Sequence, residues 1–259
     1  MAATAARGRP HLVVETVIVL GLSLGRSAVY SILNIINRLT IPDVPLAQQT
    51  STMNQAVTPD RPWLDFAYQL AGNTFPFFHP ILALYLLWRV WPPSPDGPWR
   101  AIGLDGRRIG RDVAWGVAIT TVIIGPALGF YLFARELGIN TTISMAGLSA
   151  AWWAIPMYVL AAFMNGALEE VVMVGYLFTR WRQAGWHRVP IILTSALIRG
   201  TYHLYQGFGG FLSNFVFGLV LGWLYTRTKR LWPLVIAHTL IDVVAFVGYH
   251  LLVGVVDWL

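Results

Sequence analysis

The sequence contains no cysteine and little charge. Without cysteine among its 259 residues, the chain cannot form disulfides, use a catalytic thiol or bind zinc through Cys. Only 12% of the residues are charged, about half the fraction typical of soluble domains, and 56% are apolar. A soluble fold of this size would have too few charges to cover its surface. The composition therefore excludes a soluble enzyme, a disordered chain and a disulfide scaffold, and it indicates an integral membrane protein.

Seven apolar segments approach or exceed the length of about 20 residues that a transmembrane helix needs. The first continues past Ser23 and Gly25, too far for a cleaved signal peptide, so we expect it to be retained. No alternating ten-residue strands appear, so the predicted fold class is all-α, a polytopic transmembrane helical bundle of about seven spans. The predicted segments are Leu12–Ile36, Leu64–Trp91, Asp112–Phe133, Ala150–Phe178, Val189–Tyr205, Phe208–Tyr225 and Leu231–Leu252.

Lysine is nearly absent, and the net charge of +6 comes almost wholly from arginine. Thirteen of the 18 Arg and Lys residues fall in loops that would share a side with the N-terminus, and only Arg38, Arg61 and Arg135 fall on the other side. This bias predicts a cytoplasmic N-terminus and, with seven spans, an external C-terminus. The arginines in the cytoplasmic loops account for the net positive charge, so we expect no nucleic-acid partner.

Three glycine pairs have the spacing that brings two small residues onto one helix face. They are Gly21/Gly25, Gly125/Gly129 and Gly218/Gly222. Such faces allow a second helix to approach closely. We therefore expect each pair to lie at a helix–helix contact.

Ionisable residues are concentrated inside the C-terminal segments: Glu169, Glu170, Arg199, His203, His238 and Asp242. One isolated charge at the bilayer centre costs about 2.5–3.5 kcal/mol on insertion scales, so we expect these groups to meet around a cavity. The spacing of four residues places His238 with Asp242, and Arg199 with His203, on shared helix faces. The alternative is a buried polar cluster that only fixes helix packing.

Paired carboxylates with histidines suit the activation of water. One carboxylate can act as general base while imidazoles stabilise a tetrahedral oxyanion, and no serine or cysteine nucleophile is required. Zinc is the rival, because His203, His238 and a carboxylate could form a two-His-one-acid site. No His-Glu-x-x-His pair exists, however. We therefore expect no cofactor, with zinc chemically possible but not indicated.

Three motifs, in order over about the last 110 residues, resemble those of the CPBP intramembrane proteases. This family includes the type II CAAX prenyl endopeptidases and bacteriocin-processing and immunity membrane proteins. The first motif reads Glu169-Glu170-Val171-Val172-Met173-Val174-Gly175-Tyr176-Leu177, the second Arg199-Gly200-Thr201-Tyr202-His203 and the third His238-Thr239-Leu240-Ile241-Asp242. The resemblance implies a core catalytic helical domain over residues 112–259, preceded by N-terminal spans and a cytoplasmic basic loop over residues 1–111.

The resemblance also implies a glutamate-dependent intramembrane endopeptidase, a membrane hydrolase that cleaves membrane-proximal peptide bonds. Glu169 would be the base that activates water, Glu170 would support it and His203 would share in activation. His238 and Asp242 would form the oxyanion-stabilising side. The implied partners are a membrane-associated peptide or protein substrate and the lipid bilayer, in a bacterial plasma membrane.

Two other functions fit the same residues. The first is a catalytically silent peptide- or partner-binding membrane protein, such as an immunity or scaffold protein. The second is a proton-coupled transporter, which would use the same carboxylates and histidines but is weakened by the lack of inverted repeats.

The sequence departs from the family pattern at two positions. Val174 stands where the family has an arginine, and Arg199 stands where an aromatic residue opens the second motif. Glu170 has therefore lost a positive neighbour four residues away on its own helix. We predict that Arg199 replaces that neighbour from across the helix gap and forms a bidentate pair with Glu170. The alternative is that Arg199 extends to the cytoplasmic interface.

Overall fold

A computed structural model of the protein describes residues 9–92, 97–148 and 151–256. Ala150, the expected start of the fourth segment, and Arg7, part of the charge bias, lie outside these ranges. The described chain is mostly helical and has only two strands of three residues, which confirms the predicted all-α bundle. Its α-helices are α1 (Arg9–Leu22), α2 (Leu24–Leu39), α3 (Pro62–Thr74), α4 (Phe78–Val90), α5 (Gly97–Ala101), α6 (Ile109–Glu136), α7 (Ala154–Glu169), α8 (Leu177–Gln183), α9 (Arg188–Tyr202), α10 (Phe208–Thr228) and α11 (Trp232–Leu252).

Shorter elements connect these helices. A π-helical segment, Glu170–Tyr176, joins α7 to α8 without a break. Single 3₁₀ turns occupy Leu46–Gln48, Phe75–Phe77, Gly106–Arg108 and Leu204–Gln206. The strands β1 (Thr50–Thr52) and β2 (Thr142–Ser144) pair in parallel, with Ser51 opposite Ile143.

Length and apolar composition identify five helices in the described ranges that could cross a membrane. They are Pro62–Val90, Gly106–Glu136, Ala154–Gln183, Phe208–Thr228 and Trp232–Leu252. The helices α1 and α2 add a sixth if the pair, bent by 58° at Ser23, forms one span. The segment expected at 189–205 forms α9, whose 15 residues are too few for a full crossing because residues 204–206 turn as a 3₁₀ helix instead. The described structure thus offers five or six spans by this measure, not seven.

The connecting loops gather at two ends of the bundle. At one end, β1 pairs with β2, and Asn140 forms an isolated bridge with Gly207. At the other end, the amide of Leu231 donates to the carbonyl of Gly103. Gly103 has a φ of +73°, and a Cβ there would lie 2.4 Å from the Cα of Arg230, so only glycine permits this contact.

The predicted glycine contacts are confirmed for one pair only. A Cβ on Gly218 would lie 2.9 Å from the Cα of Ala196, and one on Gly222 would lie 3.1 Å from the Phe178 ring. The prediction is wrong for Gly21 and for Gly125/Gly129, which have nothing within 4 Å. Helix α6 turns the face that carries the latter pair outward and contacts α11 instead through Gly116, which faces Ile236.

Candidate active site

The paired glutamates lie at the junction between α7 and the π-helical segment. Glu169 ends α7 and Glu170 begins the π turn. Helix α9 supports the displaced backbone, since the Ser195 hydroxyl donates to the carbonyl of Met173 at 2.8 Å. Single π turns inside α-helices are rare, but those that occur frequently lie at functional sites. The segment lies near the middle of the candidate span Ala154–Gln183.

One oxygen of Glu169 is held and the other is open. The Tyr202 hydroxyl donates to Oε2 at 2.5 Å, and Nη1 of Arg199 lies 3.4 Å from the same oxygen. Oε1 faces Nε2 of His203 at 4.0 Å, which is too long for a direct hydrogen bond. The structure thus fixes the carboxylate through one oxygen and leaves the second directed at a histidine.

Glu170 lies beneath Glu169 and is fully buried. Its Oε1 accepts from Nη2 of Arg199 at 2.7 Å and contacts Nδ1 of His238 at 2.8 Å. The predicted Arg199–Glu170 contact is present, but it is not bidentate, because the guanidinium spans both glutamates. Arg199 is 1% exposed, so the alternative, in which it extends to the cytoplasmic interface, is wrong.

An aromatic ring supports Arg199 and His238 together. The guanidinium carbon of Arg199 lies 5.3 Å from the Phe217 ring centroid, a distance at which a cation and a ring attract. The same ring meets His238 edge to face at 5.4 Å. Phe217 therefore packs against two of the polar residues that Glu170 joins.

Glu170, and not Asp242, hydrogen-bonds to the imidazole of His238. Nε2 of His238 lies 3.9 Å from Oδ1 of Asp242, beyond hydrogen-bond distance, whereas Nδ1 contacts Glu170. Asp242 instead accepts from the side-chain amide of Asn165 at 3.0 Å. With Nδ1 as the donor to Glu170, Nε2 is the ring atom left for other partners.

The cluster has a buried layer and an accessible layer. Glu170 and Arg199 are 0% and 1% exposed in their side chains, whereas Glu169, His203 and Asp242 are 10%, 16% and 19% exposed. Neither ring nitrogen of His203 hydrogen-bonds to a described residue. Both of those nitrogens are themselves buried, so a small polar molecule would first reach the carboxylates of Glu169 and Asp242.

The N-terminal helices brace this cluster from outside. Glu15 on α1 accepts a hydrogen bond from the Tyr176 hydroxyl at 2.7 Å and forms an ion pair with Arg180 at 2.6 Å. Helix α1 therefore contacts both the end of the π-helical segment and α8. Ser31 on α2 donates to the carbonyl of Tyr202 at 2.9 Å and accepts from the amide of Tyr205 at 3.0 Å. The turn that carries His203 is thereby held by α2.

Four of these contacting residues were not predicted from the sequence: Tyr202, Asn165, Glu15 and Ser31. Tyr202 directly precedes His203, and Asn165 lies four residues before Glu169, so both had a positional signal. Glu15 and Ser31 act from distant parts of the chain, and no local pattern points to them. Within the described ranges, no group of three His, Asp or Glu residues is placed to hold a metal ion.

Comparison with known proteins gives one match, and it covers this cluster. No curated protein and no solved structure matches the chain. Residues 151–244 match the family model described as type II CAAX prenyl endopeptidase Rce1-like, and this range includes the six candidate residues Glu169, Glu170, Arg199, His203, His238 and Asp242. Over residues 151–244 the chain is therefore similar to the Rce1-like type II CAAX prenyl endopeptidases, in agreement with the resemblance of its three motifs.

Proposed function

We propose that this protein is an intramembrane endopeptidase in which Glu169 activates water to hydrolyse membrane-proximal peptide bonds. The observation that carries the proposal is the geometry at Glu169. One carboxylate oxygen is fixed by Tyr202, and the other faces a histidine at 4.0 Å in the accessible layer. A separation of this size suits a water molecule that hydrogen-bonds to both groups.

Hydrolysis follows from general base catalysis by that carboxylate. Glu169 accepts a proton from the water, and the water oxygen bonds to the carbonyl carbon of the scissile peptide to give a tetrahedral intermediate. The C–N bond then breaks as Glu169 returns the proton to the leaving nitrogen. His203 orients the water through a ring nitrogen. The atoms balance, because the water molecule supplies the hydroxyl of the new carboxyl group and one hydrogen of the new amine.

The other side of the site would stabilise the oxyanion. When doubly protonated, His238 donates Nδ1–H to Glu170 and has Nε2–H left for the oxyanion. An ionised Asp242 cannot donate a hydrogen bond. The amide of Asn165, which contacts Asp242 at 3.0 Å, has a second N–H and is the neighbouring donor. In this assignment Glu170 and Arg199 are positioning residues, since both are buried beneath the accessible layer.

The second candidate is a catalytically silent partner-binding protein, and Val174 favours it because the motif arginine is absent there. The contact between Arg199 and Glu170 argues against this alternative, since it supplies a positive partner from another helix. The transporter hypothesis gains no specific support. We further propose that the protein lies in a bacterial plasma membrane with its N-terminus in the cytoplasm, and that its substrate is a membrane-associated peptide or protein.

The test compares the peptides of cells that lack the protein with those of cells that express it as wild type, Glu169→Gln or Glu136→Gln. The last variant is the control, because Glu136 is an exposed acid at the end of α6. We expect new peptide termini with the wild type and with Glu136→Gln, and none with Glu169→Gln. New termini of equal abundance with Glu169→Gln would refute the proposed role of Glu169.

A further inference from the structure

A cavity of about 180 Å³ lies away from the candidate active site, at the end of the bundle where α8 meets α9. Its lining includes the buried apolar or aromatic residues Ile102, Phe178, Ile191 and Tyr225. Such a surface fits hydrocarbon better than it fits a fully hydrated ion. None of these four residues belongs to the cluster around Glu169.

Three exposed cations line the same cavity: Arg182 on α8, Arg188 at the start of α9 and Lys229 after α10. In the part of the chain that the structure describes, none of them forms an ion pair with a carboxylate. Partial desolvation, and then the positive charges of Arg188 and Arg182, lower the pKa of Lys229, which indicates that the three charges act on one another. Three like charges around one cavity favour an anionic ligand.

The surroundings of the cavity fit a membrane interface. It lies at the end of the bundle where Leu231 contacts Gly103, and its lining includes Trp91, an aromatic residue of the type enriched at lipid headgroups. The Arg and Lys bias of the sequence assigns this end to the cytoplasm, where the leaflet carries anionic lipids.

We propose that this cavity binds the headgroup of an anionic phospholipid. The phosphodiester would lie among Arg182, Arg188 and Lys229, and the glycerol and first acyl carbons would cover Phe178 and Ile191. A bound lipid would hold together α8, α9 and α10. Because α8 continues from the π turn with Glu170 and α9 carries Arg199, the ligand would stabilise the helices that build the active site.

The test uses the full-length protein purified in detergent, with phosphatidylglycerol, phosphatidylcholine and inorganic phosphate as the three probes. Native mass spectrometry counts the bound lipids, and the melting temperature is measured at each probe concentration. We expect one phosphatidylglycerol to be retained and to raise the melting temperature, and we expect phosphatidylcholine and inorganic phosphate to do neither. An equal rise with inorganic phosphate would overturn the lipid assignment.

Two double variants remove the same total charge, one from the cavity and one from outside it. Arg188→Gln with Lys229→Asn removes two cavity charges, and asparagine tolerates the left-handed backbone at position 229, where φ is +55°. Arg108→Gln with Arg111→Gln removes two exposed charges outside the cavity lining.

Each cavity charge contributes about a fivefold change in affinity, so the cavity variant should bind phosphatidylglycerol about 30-fold more weakly. The control variant should bind it like the wild type. Each single cavity variant is measured as well, with about fivefold weakening expected, in case the double variant does not fold. Equal phosphatidylglycerol affinity in the wild type and the folded cavity variants would refute the proposal.

Discussion

At the scale of single residues, Arg199 balances the charge of the site. Its guanidinium contacts both buried carboxylates, at 2.7 Å and 3.4 Å, and it is almost fully buried itself. Removing one member of a buried ion pair leaves an uncompensated charge, which is more costly than losing an exposed pair. The arginine thus supplies Glu170 with the positive partner that Val174, an apolar residue packed in the core, does not provide.

We expect Arg199→Leu to lower the free energy of unfolding by about 3–5 kcal/mol, since two carboxylates would lose their positive neighbour. The control is Arg26→Leu, because Arg26 also lies within a predicted span but is exposed on α2. Denaturant unfolding in detergent measures both variants. If Arg199→Leu lost no more stability than Arg26→Leu, the buried pair would not contribute to folding.

The pair was predictable because the sequence offers few charges inside the spans, and Arg199 is the one arginine within the four C-terminal predicted segments. The hydroxyl of Tyr202 and the amide of Asn165 were not predictable in the same way. A neutral polar group costs less to bury than a charge, and many backbone and side-chain groups can satisfy its hydrogen bond. Its partner is therefore fixed by distances across helices that the sequence does not give. The sequence therefore predicts well which charged residues meet. It predicts less well which oxygen atom each of them contacts.

At the scale of helices, the close contact between α9 and α10 positions Arg199. Gly218 lies against the backbone of Ala196, and its missing side chain also leaves room for the Cδ of Arg199. The apolar run from Val171 to Val174 gives no sequence signal for a π turn, because it reads equally well as a buried α-helix. The exact turn geometry depends on tertiary contacts such as that of Ser195 with Met173.

We expect Gly218→Ala to destabilise the protein by about 1–3 kcal/mol, the usual cost of overpacking a tight contact. Gly125→Ala is the matched control, since it adds the same methyl group in a helix where nothing lies within 4 Å. That change should be neutral or slightly stabilising, because alanine favours a helix over glycine. Thermal unfolding compares the two variants, and equal effects would contradict the assignment of Gly218 to a close contact.

At the scale of the whole molecule, loops far apart in sequence meet at the two ends of the bundle. At one end Arg230 forms ion pairs with Asp105 and Asp112, and at the other β1 pairs with β2. Successive membrane crossings would place the loops alternately at these two ends. The positive-inside bias then predicts which end faces the cytoplasm.

Two single-cysteine variants test that orientation, and the absence of native cysteine makes the labelling specific. Gln48 and Gly106 are exposed at opposite ends of the bundle. In intact cells, an impermeant thiol reagent should label Gln48→Cys, and should label Gly106→Cys only after permeabilisation. Labelling of both variants in intact cells would contradict the topology, and labelling of Gly106→Cys alone would reverse it.

Acid should weaken the contact at Arg230. The hydrogen bond from Arg230 lowers the pKa of Asp105, so the ionised form stabilises the fold above the usual aspartate pKa of about 3.9. That stabilisation is lost as pH falls from there through the lowered pKa. Asp105→Asn should therefore lower the melting temperature at pH 7, and the difference from wild type should shrink towards pH 3. Asp60→Asn, an exposed control, should show no such trend.

Peptide hydrolysis by the purified protein would show whether Glu169 is the base that activates water. Wild type, Glu169→Gln and Glu136→Gln would be reconstituted in lipid vesicles and assayed on a peptide found by the cellular comparison. We expect Glu169→Gln to lower kcat at least about 100-fold, the lower range for a positioned acid–base group, while the variant stays folded because Arg199 keeps its closer partner Glu170. Glu136→Gln should match the wild type. A folded Glu169→Gln variant that hydrolyses the peptide at the wild-type rate would contradict the account.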